Sequence, residues 1–294
     1  MNPLLTIVIA NYNYGRFLDE AIQSVLSQSC LDFELIVVDG GSTDNSVEVI
    51  KRYQNQIAWW CSEPDKGQSD AFNKGFSHAI GRFLTWLNAD DVMLPGTIAK
   101  LKVASERYPE QEWFVGGCFW LDPEMRIFRC GRARHMSRIR AEHGLVNVCG
   151  PSSFFAKDLY LRAGKIDERN HYTMDTDLWL RFALNEKVAY RPFIRYAWGL
   201  RLHPAAKMSG HKFTADGRIL SGEASDAAFV RDQKRMQQLQ LEHRLTLSKI
   251  PPLKGTMSRW MQVATADWIP ALMSRWDTFR YWGKKLSLVI HNWR

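Results

Sequence analysis

The strongest constraint on the fold is a unit that recurs through the first 108 residues: a short apolar segment, a polar loop and a segment with helical spacing. Residues 6–10 (TIVIA) are mostly β-branched and end at Asn11, and residues 17–26 then repeat apolar side chains at helical intervals. Alternating strands and helices predict an α/β fold with a mostly parallel sheet and right-handed crossovers. Strands are predicted at 6–10, 33–38, 57–61 and 82–87, and helices at 17–26, 46–53, 69–80 and 95–108.

The pattern becomes less regular after this repeat. Strands are predicted at 113–121 and 125–130, and a further segment of the same domain runs from 150 to about 202. Beyond residue 229 the sequence is helical, basic and rich in tryptophan. We therefore predict an α/β domain over residues 1–229 and a helical C-terminal region over residues 230–294.

The net charge of +8 is confined to the end of the chain. Residues 234–294 hold eleven Lys or Arg against three acids, which leaves the preceding residues balanced at 28 of each sign. A neutral body without a known binding motif argues against nucleic acid as the partner. Five scattered cysteines without a CxxC pair predict neither a disulfide framework nor a zinc site, and the N-terminus lacks the basic segment of an export signal. A cytoplasmic location is expected.

In parallel α/β sheets, ligands bind beyond the carboxyl ends of the strands. Four polar residues follow predicted strands at that edge: Asn11, Asp39, Asp65 and Asp90. We therefore expect the functional site where these loops converge.

The adjacent carboxylates Asp90 and Asp91 follow the apolar strand that ends at Leu87. Two carboxylates at an open strand end attract Mg²⁺ or Mn²⁺, which completes its coordination with phosphate oxygens and water. The alternative is that they cap the helix predicted to start near Pro95. Capping needs one residue close to the helix, so the pair favours a metal and a nucleoside diphosphate.

Other polar residues have both a structural and a functional interpretation. Asp39, before two glycines, either starts a turn or accepts from a nucleobase or ribose. Asp175 and Asp177 suit the first turn of a helix, where the dipole favours carboxylates, but one of them could also deprotonate an acceptor hydroxyl. His203 is either structural or a metal or diphosphate ligand, and Lys66 either lies at the surface or neutralises phosphate.

Together these features resemble the family 2 glycosyltransferases, inverting enzymes with the GT-A nucleotide-sugar-binding fold. Each motif is weak alone, but their order and spacing are specific, and the resemblance covers residues 4 to 207. The motifs are residues 6–13 (TIVIANYN), 36–44 (IVVDGGSTD), 63–67 (EPDKG), 73–75 (NKG), 87–91 (LNADD) and 175–181 (DTDLWLR).

The resemblance implies a role for each matching residue. Ala10, Asn11, Tyr12 and Asp39 would hold the nucleoside, Asp90 would face the ribose and Asp91 the metal. Asp175 stands in the position of the catalytic base, and His203 in that of a late metal or phosphate ligand. Within the same motifs Asp65, Lys66, Asn73 and Asp177 are assigned to substrate binding.

Three positions depart from the family pattern. Met174 replaces a usual Glu, Gly40 replaces a common second Asp, and Phe72 replaces an Arg. The last change removes an expected phosphate contact, for which Lys66 is the predicted substitute.

The sequence thus predicts a metal-assisted inverting glycosyltransferase that moves a sugar from a nucleoside diphosphate to a saccharide or lipid-linked acceptor in polysaccharide synthesis. Alternatives are a sugar nucleotidyltransferase, whose Gly-rich phosphate loop is missing, and a nucleic-acid-binding protein that uses the basic tail.

In the C-terminal region a stripe with a four-residue repeat, flanked by Lys and Arg, predicts an amphipathic segment on the inner face of an anionic membrane. Packing on the catalytic domain or on a second subunit is the alternative, and Pro270 would interrupt a single helix. The stripe consists of Trp260, Ala264, Trp268, Leu272 and Trp276.

Overall fold

The computed structural model describes residues 2–133, 148, 150–170, 173–203 and 206, and the backbone of 211–213 and 219–222. The predicted C-terminal region, 230–294, lies outside the described residues.

The strands of the described residues are β1 (Leu5–Asn11), β2 (Phe33–Asp39), β3 (Trp59–Ser62), β4 (Phe83–Asn88), β5 (Val92–Met93), β6 (Trp113–Leu121), β7 (Ile127–Gly131), β8 (Ser153–Ala156), β9 (Arg191–Arg201), β10 (His211–Phe213) and β11 (Ile219–Gly222). The helices are α1 (Gly15–Leu26), α2 (Ser46–Arg52), α3 (Gln68–Ser77), α4 (Thr97–Arg107), α5 (Lys157–Arg162) and α6 (Met174–Leu184), with a 3₁₀ turn at Gly150–Ser152.

The main sheet has the strand order β3-β2-β1-β4-β8-β6-β9-β5, and β7 pairs with β6. The first four strands of this order are parallel, which confirms the repeating unit seen in the sequence. Beyond β4 the sheet is mixed, because β8 is antiparallel to both β4 and β6 whereas β6 and β9 are parallel. The mostly parallel sheet expected from the sequence therefore describes its first half.

Apolar residues on both faces of the sheet form two cores. Along β1, Ile7 and Ile9 pack in one core and Val8 in the other, because successive side chains point to opposite faces. Burial of both faces explains why β1 is a continuous apolar run rather than an alternating one. The first core also receives the buried face of α1, formed by Leu18, Ala21, Ile22 and Val25.

The second core is aromatic and attaches α6 to the sheet. Trp179 of α6 lies against Trp86 of β4, with ring centroids 5.3 Å apart and planes 1° from parallel. Trp113 of β6 also stacks on Trp179, with ring centroids 5.4 Å apart. The first residue of α6 also contacts α3, because the Ser69 hydroxyl lies 3.2 Å from Met174 Sδ.

The short strand β5, absent from the sequence prediction, determines where the end of β9 lies. Val92 pairs with Gly199 and Met93 with Trp198, in antiparallel register. Gly199 allows this close packing, because a Cβ there would lie 2.7 Å from Leu121 Cδ1 and 2.9 Å from Val92 Cγ2 and would force these side chains to shift. This pairing brings the residues after β9 to the loop that follows β4.

The helix predicted at 95–108 begins at Thr97. Gly96 has φ +77°, in the left-handed region, so Pro95 precedes the helix and is not in its first turn. The Thr97 hydroxyl donates to the Leu94 carbonyl at 2.7 Å. Among the helices of the described residues, none has the length and apolar character needed to cross a membrane.

Candidate active site

Asp39 is the centre of a hydrogen-bond network at the carboxyl ends of β1 and β2. Its fully buried carboxylate accepts from Asn11 Nδ2 at 2.6 Å, Ser42 Oγ at 2.5 Å, the Ser42 amide at 2.9 Å and Ser62 Oγ at 2.6 Å. These four donors match the roughly four lone-pair sites of a carboxylate. A nucleobase or ribose that bonded Asp39 would therefore have to displace a serine hydroxyl.

The end of β1 carries a buried side-chain oxygen for which the described residues supply no donor. Asn11 is buried, and its Oδ1 receives no donor from the described residues, although its Nδ2 bonds Asp39. Tyr12 is 59% exposed beside it, and Ala10 is partly buried. The structure therefore places an unmatched acceptor and an accessible aromatic ring at the same strand end.

Asp65 lies against the backbone of Gly40. Its Oδ1 accepts from the Gly67 amide at 2.7 Å, and a Cβ at position 40 would lie 2.7 Å from its Oδ2. The glycine that departs from the family pattern therefore leaves room for a carboxylate supplied by the loop after β3. In that loop Lys66 is exposed, and its amide donates to Asp70 at 2.9 Å.

Asn73 has extensive contacts within the protein. Its Nδ2 donates to the Ile166 carbonyl at 2.9 Å and to Glu168 at 3.1 Å, while its Oδ1 accepts from the Tyr160 hydroxyl. These bonds connect α3 to the segment after α5, and a substrate contact by Asn73 stays a prediction. Its neighbour Phe72 is fully buried in the aromatic core, so the missing Arg has been replaced by a packing residue.

Asp91 is fully buried, and the protein occupies both of its oxygens. Oδ1 accepts from the Arg201 amide at 3.0 Å, and Oδ2 accepts from Asn88 Nδ2 at 2.7 Å. Burial and the adjacent charge of Asp90 raise the pKa of this carboxyl well above its usual value. Because its oxygens face Asn88 and β9, Asp91 does not cap α4.

Asp90 has a different environment: its side chain is 16% exposed, and its Oδ2 lies 3.2 Å from His203 Nε2. Burial raises the pKa of Asp90, against the lowering effect of the hydrogen bond to His203. The His203 ring packs on Phe17, with centroids 4.5 Å apart, and on Tyr14 at 5.6 Å. The structure thus brings together Asp90 and His203, whereas the sequence suggested Asp91 and His203 as the metal pair.

The two acids of α6 also differ. Asp177 is 1% exposed, and its Oδ2 accepts from Arg181 at 2.7 and 2.9 Å. Asp175 is partly buried; its Oδ1 accepts from the Thr176 amide at 2.6 Å, and its Oδ2 lies 3.5 Å from where a Cβ of Gly150 would be. Asp175 therefore lies against Gly150, at the start of the 150–152 turn, which the Thr85 hydroxyl fixes to β4 through the Pro151 carbonyl at 3.2 Å.

Comparison with known proteins gives the family. The sequence model described as Glycosyl transferase family 2 matches residues 6–111, the segment that contains β1 to β5 and the Asp90 loop. Over residues 6–111 the chain is a family 2 glycosyltransferase.

Several proteins with similar sequences are named glycosyltransferases. An uncharacterized glycosyltransferase of Nostoc sp. (strain PCC 7120) is 42% identical over 106 residues, which are 33% of this chain and 31% of that protein. An uncharacterized glycosyltransferase of Rickettsia prowazekii is 27% identical over 62% of this chain and 59% of its own length. The PGL/p-HBAD biosynthesis glycosyltransferase of Mycobacterium bovis is 28% identical over 64% of this chain and 73% of its own length. The glycosyltransferase described here thus spans between about a third and three quarters of these relatives.

A solved structure shares the fold. The crystal structure of S. aureus TarS 1–349 in complex with UDP-GlcNAc superposes with a TM-score of 0.55 and 16% identity, over 73% of this chain and 62% of that chain. The fold of this glycosyltransferase is accordingly the GT-A fold expected from the sequence.

The contacts between His203 and the first turn of α1 were not predicted from the sequence. Arg16 Nη2 lies 3.5 Å from His203 Nδ1, and Phe17 packs against the same ring. The available signal was position: Arg16 stands in the first turn of the helix that follows β1, at the edge where the site was expected. Arg201 is buried, stacks over Phe17 and pairs with Glu20, so its charge is already balanced within the protein.

Proposed function

We propose that this glycosyltransferase moves a sugar from a nucleoside diphosphate to an acceptor hydroxyl, with inversion at the anomeric carbon. The observation that carries the proposal is the contact between Asp90 and His203 at the sheet edge where Asn11 and Asp39 also lie. A metal-binding pair next to a polar strand end is an arrangement suited to a nucleotide sugar. TarS, which shares the fold, was crystallised with UDP-GlcNAc and with UDP.

In this proposal Asp90 and His203 hold Mn²⁺ or Mg²⁺, the divalent metals that the family generally uses. The donor set fits: two ligands at right angles, each about 2.1 Å from the metal, lie about 3 Å apart. The facing atoms of Asp90 and His203 are separated by 3.2 Å. Among the described residues no three His, Cys, Asp or Glu side chains are grouped so that they could hold a metal ion, so diphosphate oxygens and water would supply the other ligands. The bound metal supplies positive charge against the departing diphosphate.

Asp91 has a positioning role in this scheme. Its bonds to Asn88 and to the Arg201 amide connect the loop after β4 to the end of β9, and so bring Asp90 to His203. This reverses the two roles expected from the sequence, where Asp91 faced the metal and Asp90 the ribose. The experiment below separates the two assignments.

The nucleoside binds at the ends of β1 and β2. The Asn11 Oδ1 accepts from the ligand, Tyr12 packs on it, and Asp39 contacts it after a serine hydroxyl turns away. Asp65 and Lys66 border this site from the loop after β3. Sugar transfer from such a donor releases a nucleoside diphosphate. A sugar nucleotidyltransferase releases pyrophosphate instead, so the released product distinguishes the two activities.

Asp175 is the proposed base. The acceptor oxygen attacks the anomeric carbon, its proton passes to Asp175, and the bond from that carbon to the diphosphate oxygen breaks. Attack opposite the leaving group inverts the configuration. The support is that Asp175 Oδ2 faces Gly150, at the start of the 150–152 turn. A saccharide or lipid-linked acceptor in polysaccharide synthesis is the proposed substrate.

Thermal unfolding tests the donor side. UDP, GDP, dTDP, ADP and CDP are added to the protein with and without Mn²⁺, and the nucleotide that binds native protein raises the melting temperature. We expect one of them to do so in a manganese-dependent manner. Asp90→Asn should abolish the manganese-dependent part of the shift, because it removes the accessible carboxylate.

Asp158→Asn is the matched control, since Asp158 is an exposed acid in the first turn of α5. It should behave as wild type. Retention of the manganese effect in Asp90→Asn together with its loss in Asp91→Asn would favour the assignment made from the sequence. If none of the five nucleotides shifts the wild-type transition, the proposed function is wrong.

A further inference from the structure

We infer that Arg16 binds the diphosphate of the sugar donor, an inference that rests on the proposed function. Arg16 is the second residue of α1 and is exposed. Its guanidinium lies 4.4 Å from the Phe17 ring centroid, and Nη2 lies 3.5 Å from His203 Nδ1. Because His203 Nε2 lies 3.2 Å from Asp90, the three side chains form a row that ends in a cation.

The charge of Arg16 is not balanced by the protein. No carboxylate of the described residues lies within ion-pair distance of its guanidinium, in contrast to Arg201, which pairs with Glu20. Lys66 follows β3, which two strands separate from β4 in the sheet. Among the described residues Arg16 is therefore an accessible cation next to the Asp90 loop, where the leaving diphosphate must lie if Asp90 and His203 hold the metal.

The surroundings also orient Arg16. One aromatic ring, that of Phe17, contacts both the Arg16 guanidinium and the His203 imidazole, at 4.4 and 4.5 Å. A stacked guanidinium loses less rotamer freedom when it binds, and its planar donors match two phosphate oxygens at once. This arrangement supplies the phosphate contact that was expected at position 72, where Phe72 is buried in the core.

Isothermal titration calorimetry tests the inference on the full chain. Among UDP, GDP, dTDP, ADP and CDP, the diphosphate that binds most tightly in Mn²⁺ is compared with its own monophosphate. Arg16→Ala should weaken diphosphate binding by about 10- to 100-fold, the effect of a lost charge-assisted contact, and monophosphate binding by less. Arg16→Lys should recover part of the loss, because lysine keeps the charge but not the paired donors.

Arg107→Ala is the matched control. Arg107 is also exposed and also lies over the ring of the next residue, Tyr108, at 5.5 Å, but it is at the C-terminal end of α4. It should bind both nucleotides as wild type does.

Three results would overturn the inference. Wild-type diphosphate affinity in Arg16→Ala would show that Arg16 makes no such contact. Equal loss for the two nucleotides would show that Arg16 supports the nucleoside site or the fold. Failure of the wild type to bind any of the five diphosphates would overturn the proposed function, and this inference with it, before any variant is compared.

Discussion

At the scale of single residues, adjacent acids acquire different chemistry from their neighbours in space. Asp175 and Asp177 occupy the same helical turn, but Asp177 is buried against Arg181 whereas Asp175 faces the turn at 150–152. A fully buried ion-paired carboxylate such as Asp177 serves the fold, whereas a partly buried one such as Asp175 is able to receive a proton from a ligand. The two residues should therefore fail in different ways when they are changed.

Asp175→Asn should reduce turnover roughly a hundredfold or more and leave donor binding largely unchanged, because the amide keeps the shape but cannot take the proton. Turnover is measured as acceptor-dependent release of nucleoside diphosphate, and donor affinity by calorimetry. Asp177→Asn is the comparison, and it should lower the free energy of unfolding because Arg181 loses its charged partner. Near-normal turnover in Asp175→Asn would assign the base to another residue.

The sequence identified side chains that the fold brings to one edge of the sheet, but not their contacts with one another; their chemical roles stay predictions. Asp90, Asp91 and His203 were recognised by type and position, because carboxylates at strand ends have few structural reasons to be there. Their pairing was not predictable, since it depends on the Arg201 amide and on His203, more than 100 residues further along the chain. Arg16 was missed for the same reason, as only the fold places α1 beside the end of β9.

At the scale of elements, Asp44 connects the starts of two helices. One oxygen accepts from the amide of Gly15, the first residue of α1, at 2.9 Å. The other accepts from the amide and hydroxyl of Ser46, the first residue of α2, at 3.0 and 2.5 Å. Burial alone would raise the pKa of Asp44, but these hydrogen bonds outweigh it and lower the pKa below its usual value.

Asp44→Ala should lower the free energy of unfolding by about 1–2 kcal/mol at pH 7, the usual loss for a helix cap. Because the pKa is lowered in the folded state, the stabilisation is present above the usual pKa of about 4 and is lost as the pH falls through the lowered value. Urea unfolding at several pH values checks both points. Asp44→Asn should lower the free energy of unfolding by less, since it keeps an acceptor. If the difference in this free energy between wild type and Asp44→Ala did not depend on pH, the role of the charge would be contradicted.

Long apolar strands and amphipathic helices were predictable at this scale, and the bounds of β6 agree with those expected. The two-residue β5 was not, because nothing in its sequence marks a strand until Gly199 and Trp198 of β9 pair with it. The antiparallel position of β8 between β4 and β6 likewise follows from tertiary pairing rather than from local sequence.

At the scale of the whole molecule, the excess positive charge lies in residues 234–294, after a body with balanced charge. We propose that this segment binds anionic membrane, near a lipid-linked acceptor. Replacement of Arg259, Arg275, Lys284 and Lys285 by Glu would change the net charge of the segment from +8 to zero. Since each basic residue near an anionic surface contributes about 1 kcal/mol, vesicle binding should fall at least about a hundredfold.

Sedimentation with vesicles of anionic and of zwitterionic lipid measures this binding on the full chain. The matched control carries four Glu substitutions at exposed cations of the body, Lys51, Lys100, Arg107 and Lys187. It should bind anionic vesicles as wild type does. If both variants lost vesicle binding equally, net charge alone would explain the binding. If the wild-type protein did not bind anionic vesicles, the membrane role would be excluded.

The contact between Asp90 and His203 also has a consequence for biosynthesis. It joins residues 113 positions apart, and the family match ends at residue 111, well before β9 is made. A nascent chain that ends there holds the parallel half of the sheet, which forms mostly from nearby pairings, but lacks His203. Non-local contacts form late because their loop must close first. On the ribosome the edge that holds Asn11 and Asp39 therefore assembles first, and the proposed metal pair of Asp90 and His203 is complete only after the ninth strand has emerged.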